Sequence, residues 1–247
     1  MMKAFIRSFV SAVCFVAALA GTAAAQDFQK DYRIPADGHI RIGNVSGDIN
    51  VNGYDGDAVV VRGFKEGRNR DDVEIEDRST PNSVEVKVRY PKHGRTDASV
   101  RFEVQVPRGM SFNFDNVSSV SGDVTLHGVS GLVRASTVSG SVRVEDMKGR
   151  INASSVSGNL EVEIERLEGT SDMRFSTVSG NITVKMPSNL EADIEMSTLS
   201  GLLKSDFPIE VREKQYGPGR SARGRIGDAT KNLRLSSVSG NVILQKS

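Results

Sequence analysis

Apolar and polar residues alternate along short stretches of this chain. In the segments 142–144 and 160–164, Val, Leu or Ile occupies every second position and Arg or Glu lies between. This period of two is typical of a half-buried strand, because successive side chains point to opposite faces. Val and Ile also favour extended backbone. The alternation therefore predicts an all-β protein.

An eight-residue motif, Ser-Ser/Thr-Val-Ser-Gly-Asp/Asn-x-x, returns along the chain. Its copies start at Gly43, Ser118, Ser136, Ser154, Ser176, Ser197 and Ser236. From Ser118 onward the starts are 18, 18, 22, 21 and 39 residues apart. A short unit repeated this often indicates a solenoid, in which one copy is one rung and buries its apolar side only against its neighbours.

Glycine marks two corners in each rung. A second glycine recurs half a rung after the motif, at Gly131, Gly149 and Gly169. Two corners and two strand segments predict a flattened coil whose rungs stack about 4.8 Å apart. We expect Val138, Val156 and Val178 to stack in the core, and Gly158 to adopt the positive φ that glycine tolerates. The predicted corner ladder consists of Gly47, Gly122, Gly140, Gly158, Gly180, Gly201 and Gly240.

These observations predict a single-chain parallel β-helix, or β-solenoid, with rungs of about 18–22 residues, right-handed or two-faced. A left-handed hexapeptide helix is disfavoured, because Arg150 stands where an aliphatic residue is required. We assign residues 26–117 to a less regular N-terminal β region with early rungs. Residues 118–247 form the regular solenoid, and residues 208–231 form an inserted loop.

The first 25 residues have the features of a signal peptide. Lys3 and Arg7 precede the apolar run Phe9–Ala20, and small residues lead to a cleavage site between Ala25 and Gln26. An uncleaved anchor helix is the alternative. Cleavage would remove Cys14, the only cysteine, and would leave no transmembrane segment. We expect an exported protein in the periplasm, at the cell surface or outside the cell.

The motif and the end of the chain resemble a known bacterial family. The rungs read Val-Ser-Gly-Asp/Asn-Ile/Val-x-Val, and the ending Gly224–Ile243 fits the same pattern. At these residues, and over roughly Ile40–Lys246, the chain resembles the DUF4097 family, whose members are often labelled "putative adhesins". The resemblance implies a β-solenoid in the cell envelope or outside the cell, and it brings no catalytic residues.

The residues that could carry chemistry form no recognisable catalytic or metal-binding pattern. His39, His93 and His127 have no ligand at metal-binding spacing, so we expect no metal and no cofactor. The motif serines recur in every rung and lack the strained elbow of a nucleophile, which favours a hydroxyl ladder. The residues after the corner glycine favour a mutual hydrogen-bonding ladder over a calcium ladder, since Asn dominates and Leu202 interrupts the series.

A carbohydrate-active β-helix enzyme, such as a polysaccharide lyase or hydrolase, is the alternative function. Its acids would come from Asp37, Asp55 and Asp57 near Arg62, or from the glutamates at positions 161, 163 and 165. Glutamates that alternate along a strand are more simply its solvent-facing side. A sensor of envelope stress has no direct support in the residues.

A basic segment is the candidate contact site. It contains Arg212, Lys214, Arg220, Arg223 and Arg225, whereas the whole chain is nearly neutral, with 32 basic and 31 acidic residues. Only Tyr216 supplies an aromatic ring, so nucleic-acid binding is not indicated. We expect a non-enzymatic adhesin or structural binding module. Its partner would be an anionic glycan, an envelope polymer or another protein.

Overall fold

A computed structural model describes residues 26–91, 97–169, 172–213, 218–229 and 231–247, with backbone alone at 211–213. The predicted signal peptide, His93 and Lys214 lie outside these residues. The all-β prediction is confirmed, since the described residues contain twenty strands and one 3-10 turn, Arg70–Asp72. The strands are β1 Phe28–Tyr32, β2 His39–Gly43, β3 Ile49–Tyr54, β4 Val59–Glu66, β5 Glu74–Asp77, β6 Ser83–Arg89, β7 Ser99–Pro107, β8 Phe112–Ser121, β9 Val124–His127, β10 Ser130–Ser139, β11 Val142–Ser157, β12 Leu160–Arg166, β13 Met173–Ser179, β14 Ile182–Met186, β15 Ala192–Ser200, β16 Leu203–Ser205, β17 Glu210–Glu213, β18 Arg220–Ile226, β19 Asn232–Ser239 and β20 Val242–Lys246.

The strands form two hydrogen-bonded series. The first, which we call the serine series, runs β5-β6-β2-β8-β10-β11-β13-β19-β15-β18-β17. The second, the opposite series, runs β1-β4-β7-β3-β9-β11-β12-β14-β20-β16. Strand β11 belongs to both, because its two halves lie on either side of a corner. Inward side chains of both series form one apolar core.

Motif copies pair in parallel, and equal motif positions lie opposite each other. Ser136 is opposite Ser118 and Ser154, and Ser176 is opposite Ser236. This register keeps each apolar set facing the core, since a slip of one residue would turn it outward. At both ends of the serine series the pairing becomes antiparallel, through β5 on β6 and β18 on β15. These antiparallel strands cover the ends of the parallel stack, which would otherwise expose unpaired backbone groups.

The spatial order of the rungs departs from their order along the chain. The last rung, β19–β20, lies between β13–β14 and β15–β16, which both precede it in sequence. The first rung, β2–β3, likewise lies between β6–β7 and β8–β9. Only the rungs from β8 to β14 follow each other both along the chain and in the stack. The fold is therefore solenoid-like but is not a simple sequential coil.

The predicted burial of the motif valines is wrong. Val138, Val156 and Val178 are 46%, 46% and 50% exposed. The strand phase explains this result, because Val133 and Ala135 point inward and residue 137 must then point inward too, which turns residue 138 outward. The inward place is taken by a buried Ser or Thr. Thr137 Oγ1 donates to the carbonyl oxygen of Gly122 at 3.0 Å, and each neighbouring rung repeats the bond.

The corner glycines stack, but the reason predicted for Gly158 is wrong. Gly158 is not among the glycines with positive φ. A Cβ built on Gly158 would lie 1.8 Å from the carbonyl oxygen of Gly140 in the adjacent rung. Close backbone approach therefore requires glycine here. At the second corner, half a rung further along the chain, glycine does adopt a positive φ, which is 120° at Gly131 and 130° at Gly149.

The residue after each corner glycine links its rung to the next. The Asn159 side-chain oxygen accepts the backbone N–H of Asn181 at 2.9 Å, and Asn181 accepts that of Asn241 at 2.8 Å. Asn241 in turn accepts the N–H of Leu202 at 2.9 Å. The series thus runs from side chain to backbone, not between amide side chains as we predicted. Leu202 ends it, because no further motif copy lies beyond that rung.

The insertion at 208–231 also differs from the predicted loop. It contains β17 and β18, which pair with each other, and β18 pairs with β15. The insertion therefore extends the serine series by two antiparallel strands. This arrangement places part of the basic segment on a strand surface.

Candidate binding surface

A row of serines crosses the outer side of the serine series. Each is the first residue of its motif copy, except the last, which lies on β18 opposite β15. In each motif copy, the serine of this row stands two residues before the exposed valine or leucine of the motif. Its members, in spatial order, are Ser118, Ser136, Ser154, Ser176, Ser236, Ser197 and Ser221. Repetition at the strand spacing gives a line of hydroxyl groups about 4.8 Å apart.

A second row lies on the same surface, two residues before the serines along each strand. It contains Arg134, Asn152, Arg174, Arg234 and Glu195. Arg234 forms an ion pair with Glu195. Among the described residues, Arg134 and Arg174 have no carboxylate within ion-pair distance, and Arg134 is exposed. These two guanidinium groups are therefore available to a ligand, since each is planar and carries five N–H donors.

Two open grooves lie over these rows. The larger, of about 860 Å³, is lined by Arg174, Glu195, Arg223 and Arg234 among others. The smaller, of about 400 Å³, lies between Arg134 and Arg174 and includes Ser136, Ser154 and Ser176. Because Asn152 and Arg174 line both grooves, the two are continuous. Hydroxyl, amide and guanidinium groups line the two grooves together with four carboxylates, those of Asp115, Asp172, Asp193 and Glu195.

The basic residues chosen from the sequence lie at the edge of this surface. Arg223 donates to Glu195 at 2.7 Å, and Arg225 makes two hydrogen bonds to Asp193, at 3.0 and 3.1 Å. Arg220 donates to the backbone carbonyl of Gly201 at 2.8 Å. Arg212 lies in β17, and its side chain is outside the described part of the chain. Arg220, Arg223 and Arg225 are thus held by partners within the protein, whereas Arg134 and Arg174 have none among the residues that the structure describes.

The pairs on β15 change the acidity of its carboxylates. The hydrogen bond from Arg225 lowers the pKa of Asp193 below its ordinary value, against a smaller opposing effect of burial. The hydrogen bond from Arg223, with the charges of Arg234 and Arg223, lowers the pKa of Glu195 in the same way. Both carboxylates stay ionised at neutral pH. Neither has the raised pKa that a general acid requires.

Two histidines have carboxylate partners that are distant in sequence. His39 Nδ1 lies 2.9 Å from Asp115, which also accepts a hydrogen bond from Arg41 at 2.6 Å. His127 Nε2 lies 3.1 Å from Asp146. No described serine hydroxyl is hydrogen-bonded to a histidine, so these pairs do not form a Ser-His-Asp triad.

Four of the six carboxylates considered for an enzyme are engaged in ion pairs. Glu161 pairs with Arg143 at 2.9 Å, Glu163 with Lys185 at 3.0 Å and Glu165 with Lys148 at 3.3 Å. In the N-terminal group, Asp57 pairs with Arg33 at 3.5 Å instead of Arg62. Within the described ranges, no three or more His, Cys, Asp or Glu side chains cluster as metal ligands.

The sequence contains a signal for this surface that the prediction of the contact site overlooked. The first motif position is serine in every copy after the first, and Arg134 and Arg174 both stand two residues before it. Identical positions of a stacked repeat fall on one line, so this register alone predicts a serine row bordered by arginines. Whether those arginines have carboxylate partners depends on which strands become neighbours.

The comparisons with known proteins agree with this architecture. The family described as "Toastrack DUF4097" matches residues 31–245, which is most of the chain. The protein belongs to this family. The resemblance seen in the sequence is thereby confirmed. No curated protein matches the chain.

Two solved structures share broad similarity with this Toastrack protein. One is a "putative cell adhesion protein" from Clostridium sporogenes, 11% identical, with a TM-score of 0.39, covering 89% of this chain and 99% of its own. The other is a "putative adhesin" from Bacteroides fragilis, 12% identical, with a TM-score of 0.45, covering 88% of this chain and 96% of its own. In the described residues, no helix is long and apolar enough to cross a membrane.

Proposed function

We propose that this Toastrack protein is a non-enzymatic binding module of the cell envelope or cell exterior, and that its serine series holds an anionic polysaccharide. The observation that carries this proposal is the pair Arg134 and Arg174, which have no acidic partner among the described residues and border a line of serine hydroxyls. Guanidinium groups bind carboxylate or sulfate groups, and hydroxyl groups bind sugar hydroxyls. An extended polymer fits a surface that repeats at a constant spacing.

The remaining features support a scaffold role. The parallel registers fit a β-solenoid with coils of 18–22 residues, for which we propose the right-handed sense. The predicted signal peptide supports export, and the names of the two similar structures fit an adhesin-like role. The paired glutamates on the opposite series support a binder over a lyase, because each of these carboxylates is already engaged by a cationic side chain.

The test is retention on immobilised polygalacturonate and dextran sulfate, with neutral dextran as the blank. We expect wild-type protein to bind the anionic resins and to elute as salt screens the contacts. The double variant Arg134→Ser/Arg174→Ser should elute at clearly lower salt. The variant Arg143→Ser is the matched control, since this arginine lies on the opposite series and is paired with Glu161.

Two outcomes would contradict the proposal. Equal elution of the double variant and wild type would exclude Arg134 and Arg174 as contacts. A larger loss for Arg220→Ser/Arg223→Ser/Arg225→Ser would move the contact to the basic segment chosen from the sequence. Polygalacturonate also tests the enzymatic alternative, because a lyase would release unsaturated products that absorb ultraviolet light.

A further inference from the structure

An exposed aliphatic stripe runs along the Ser-Gly corner. It consists of the third residue of every motif copy, which we call the valine stripe. Each side chain is 41–50% exposed, although valine and leucine are among the residues most often buried. In spatial order, the stripe is Val45, Val120, Val138, Val156, Val178, Val238 and Leu199.

The stripe is straight and regular because each member belongs to one rung. At the strand spacing its seven members span about 29 Å. Serine rows lie on both sides: the row described above, and the serines directly after each valine. Within the motif copies the charged residues are Asp48 and Asp123, which follow the corner glycines of the first two rungs, and the eighth-position residues Arg143, Glu161 and Lys204. For the five members from Val138 to Leu199, no charged residue stands within three positions of a stripe member along the chain. The middle of the stripe is therefore free of charge.

The exposed area is large enough to matter for association. Seven half-exposed aliphatic side chains offer roughly 400 Å² of contiguous apolar surface, a size that marks interaction sites on monomers. Two such stripes in contact would bury roughly 800 Å². The bordering serine rows would bring the total past the roughly 1,000 Å² of a specific interface.

We propose that the valine stripe is the interface of a homodimer, in which two copies of this chain pack stripe against stripe in antiparallel orientation. A second copy matches the stripe because it repeats at the same spacing, so that each member of the stripe can lie opposite one member of the partner's stripe. Closed two-fold symmetry requires such a self-complementary patch.

The charges at the ends of the stripe favour the antiparallel orientation. A parallel arrangement would place Asp48 and Asp123 next to the same residues of the other copy, where like charges repel. The antiparallel arrangement places this acidic end against the end that carries Leu199 and Leu202. It also places the two-fold axis at the fourth of the seven members, Val156.

This interface leaves the guanidinium groups of the proposed polymer site uncovered, although it buries part of the adjoining serine row. Arg134 is four residues from Val138 along β10, which is about 13 Å in an extended strand. The arginine rows of both copies would therefore lie outside the contact. The dimer does not depend on the proposed polymer binding, and either can fail without the other.

The first test is sedimentation velocity of the exported protein over a range of concentrations. We expect a concentration-dependent dimer, and we expect Val156→Lys to weaken dimerisation at least tenfold, because it places two ammonium groups together at the two-fold axis. Melting should be unchanged, since the side chain is solvent-exposed. Thr183→Lys on the opposite series is the matched control and should dimerise as wild type does. A monomer at every concentration, or a dimer unaffected by Val156→Lys, would overturn the proposal.

The second test is cross-linking, with Cys14 replaced by Ser so that the introduced thiol is the only one. Under copper-catalysed air oxidation, Val156→Cys should form a covalent dimer. Val120→Cys alone should not, whereas a mixture of Val120→Cys and Val238→Cys should, because these positions are second and sixth along the stripe. Self-cross-linking of Val120→Cys as efficient as that of Val156→Cys would indicate a parallel pair and would overturn the antiparallel arrangement.

Discussion

The middle rungs and the C-terminal rungs use the same motif but are assembled differently. From β8 to β14 each rung packs on the one that precedes it in the chain. At the C-terminal end, β19–β20 lies between β13–β14 and β15–β16, so Ser239 is a neighbour of both Ser179 and Ser200. The corner hydrogen bonds are nevertheless the same in both regions. The motif thus specifies how a rung is built, while contacts elsewhere decide which rungs become neighbours.

The residue after the corner glycine shows how the two regions differ chemically. In the middle rungs it is Asp, Ser or Asn, which accepts an N–H from the next rung. In the rung that ends the series it is Leu202, whose own N–H is bonded to Asn241. The side chain at this position is a hydrogen-bond acceptor wherever another motif copy packs on the rung, even if that copy is not the next one along the chain. This residue therefore marks position in the stack.

Among the changes that test this comparison, removal of the last rung should lower the stability of the protein the most. A chain that ends after Asp228 loses Leu233, Leu235, Val242 and Leu244, all fully buried. Their burial is worth on the order of 8 kcal/mol, comparable with the total stability of a domain. We expect loss of the cooperative melting transition, measured by circular dichroism. A chain that ends after Lys246 is the control. Cooperative melting without β19–β20 would show that β15 can pack directly on β13.

A methyl group at the corner should distinguish a middle rung from the end rung. Gly158→Ala places Cβ 1.8 Å from the carbonyl oxygen of Gly140, with rungs fixed on both sides. We expect the free energy of unfolding to fall by about 2–4 kcal/mol. Gly201→Ala meets the carbonyl oxygen of Gly240 at 2.1 Å and adds the strain of a φ of 156°, but this last motif rung can move outward, so the loss that comes from the contact should be smaller.

The control for these alanine variants is Gly109→Ala, because a Cβ there has no neighbour within 4 Å. It should change stability by less than about 0.5 kcal/mol. Chemical denaturation of the three variants gives the comparison. Equal losses at positions 158 and 201 would mean that the end rung is held as rigidly as the middle.

Exchange of the acceptor residues should have the smallest effect. Asn181→Leu removes the acceptor for the backbone N–H of Asn241 and should cost about 1 kcal/mol, since the bond is partly exposed. Leu202→Asn adds an acceptor where no motif rung follows and should leave the melting temperature nearly unchanged. A clear gain in stability for Leu202→Asn would show that Leu202 does not end the series.

Much of the local structure could be predicted from the sequence. Alternation predicted the strands, because side-chain direction has a period of two and apolar side chains avoid water. The recurring Ser-Gly pair located the corners, since only glycine fits where two backbones come this close. The same alternation also predicts that the side chain of Val138 is exposed. We gave the apolar character of that residue more weight than the phase set by Val133 and Ala135, and this led to the wrong prediction.

The tertiary structure alone decided the order of the rungs and the contacts that depend on it. The motif copies are nearly identical, so each can pair with any other at similar energy, and no local preference selects a neighbour. Non-local packing placed β19 between β13 and β15 and brought Asp115 to His39. It also left Arg134 and Arg174 without acidic partners in the described part of the chain. The sequence by itself determined the rung, the corner and the all-β class, because these depend on backbone geometry and on local side-chain direction. Rung order depends on pairings between segments as many as 75 residues apart, such as that of Asp48 with Asp123, which no short stretch of sequence encodes.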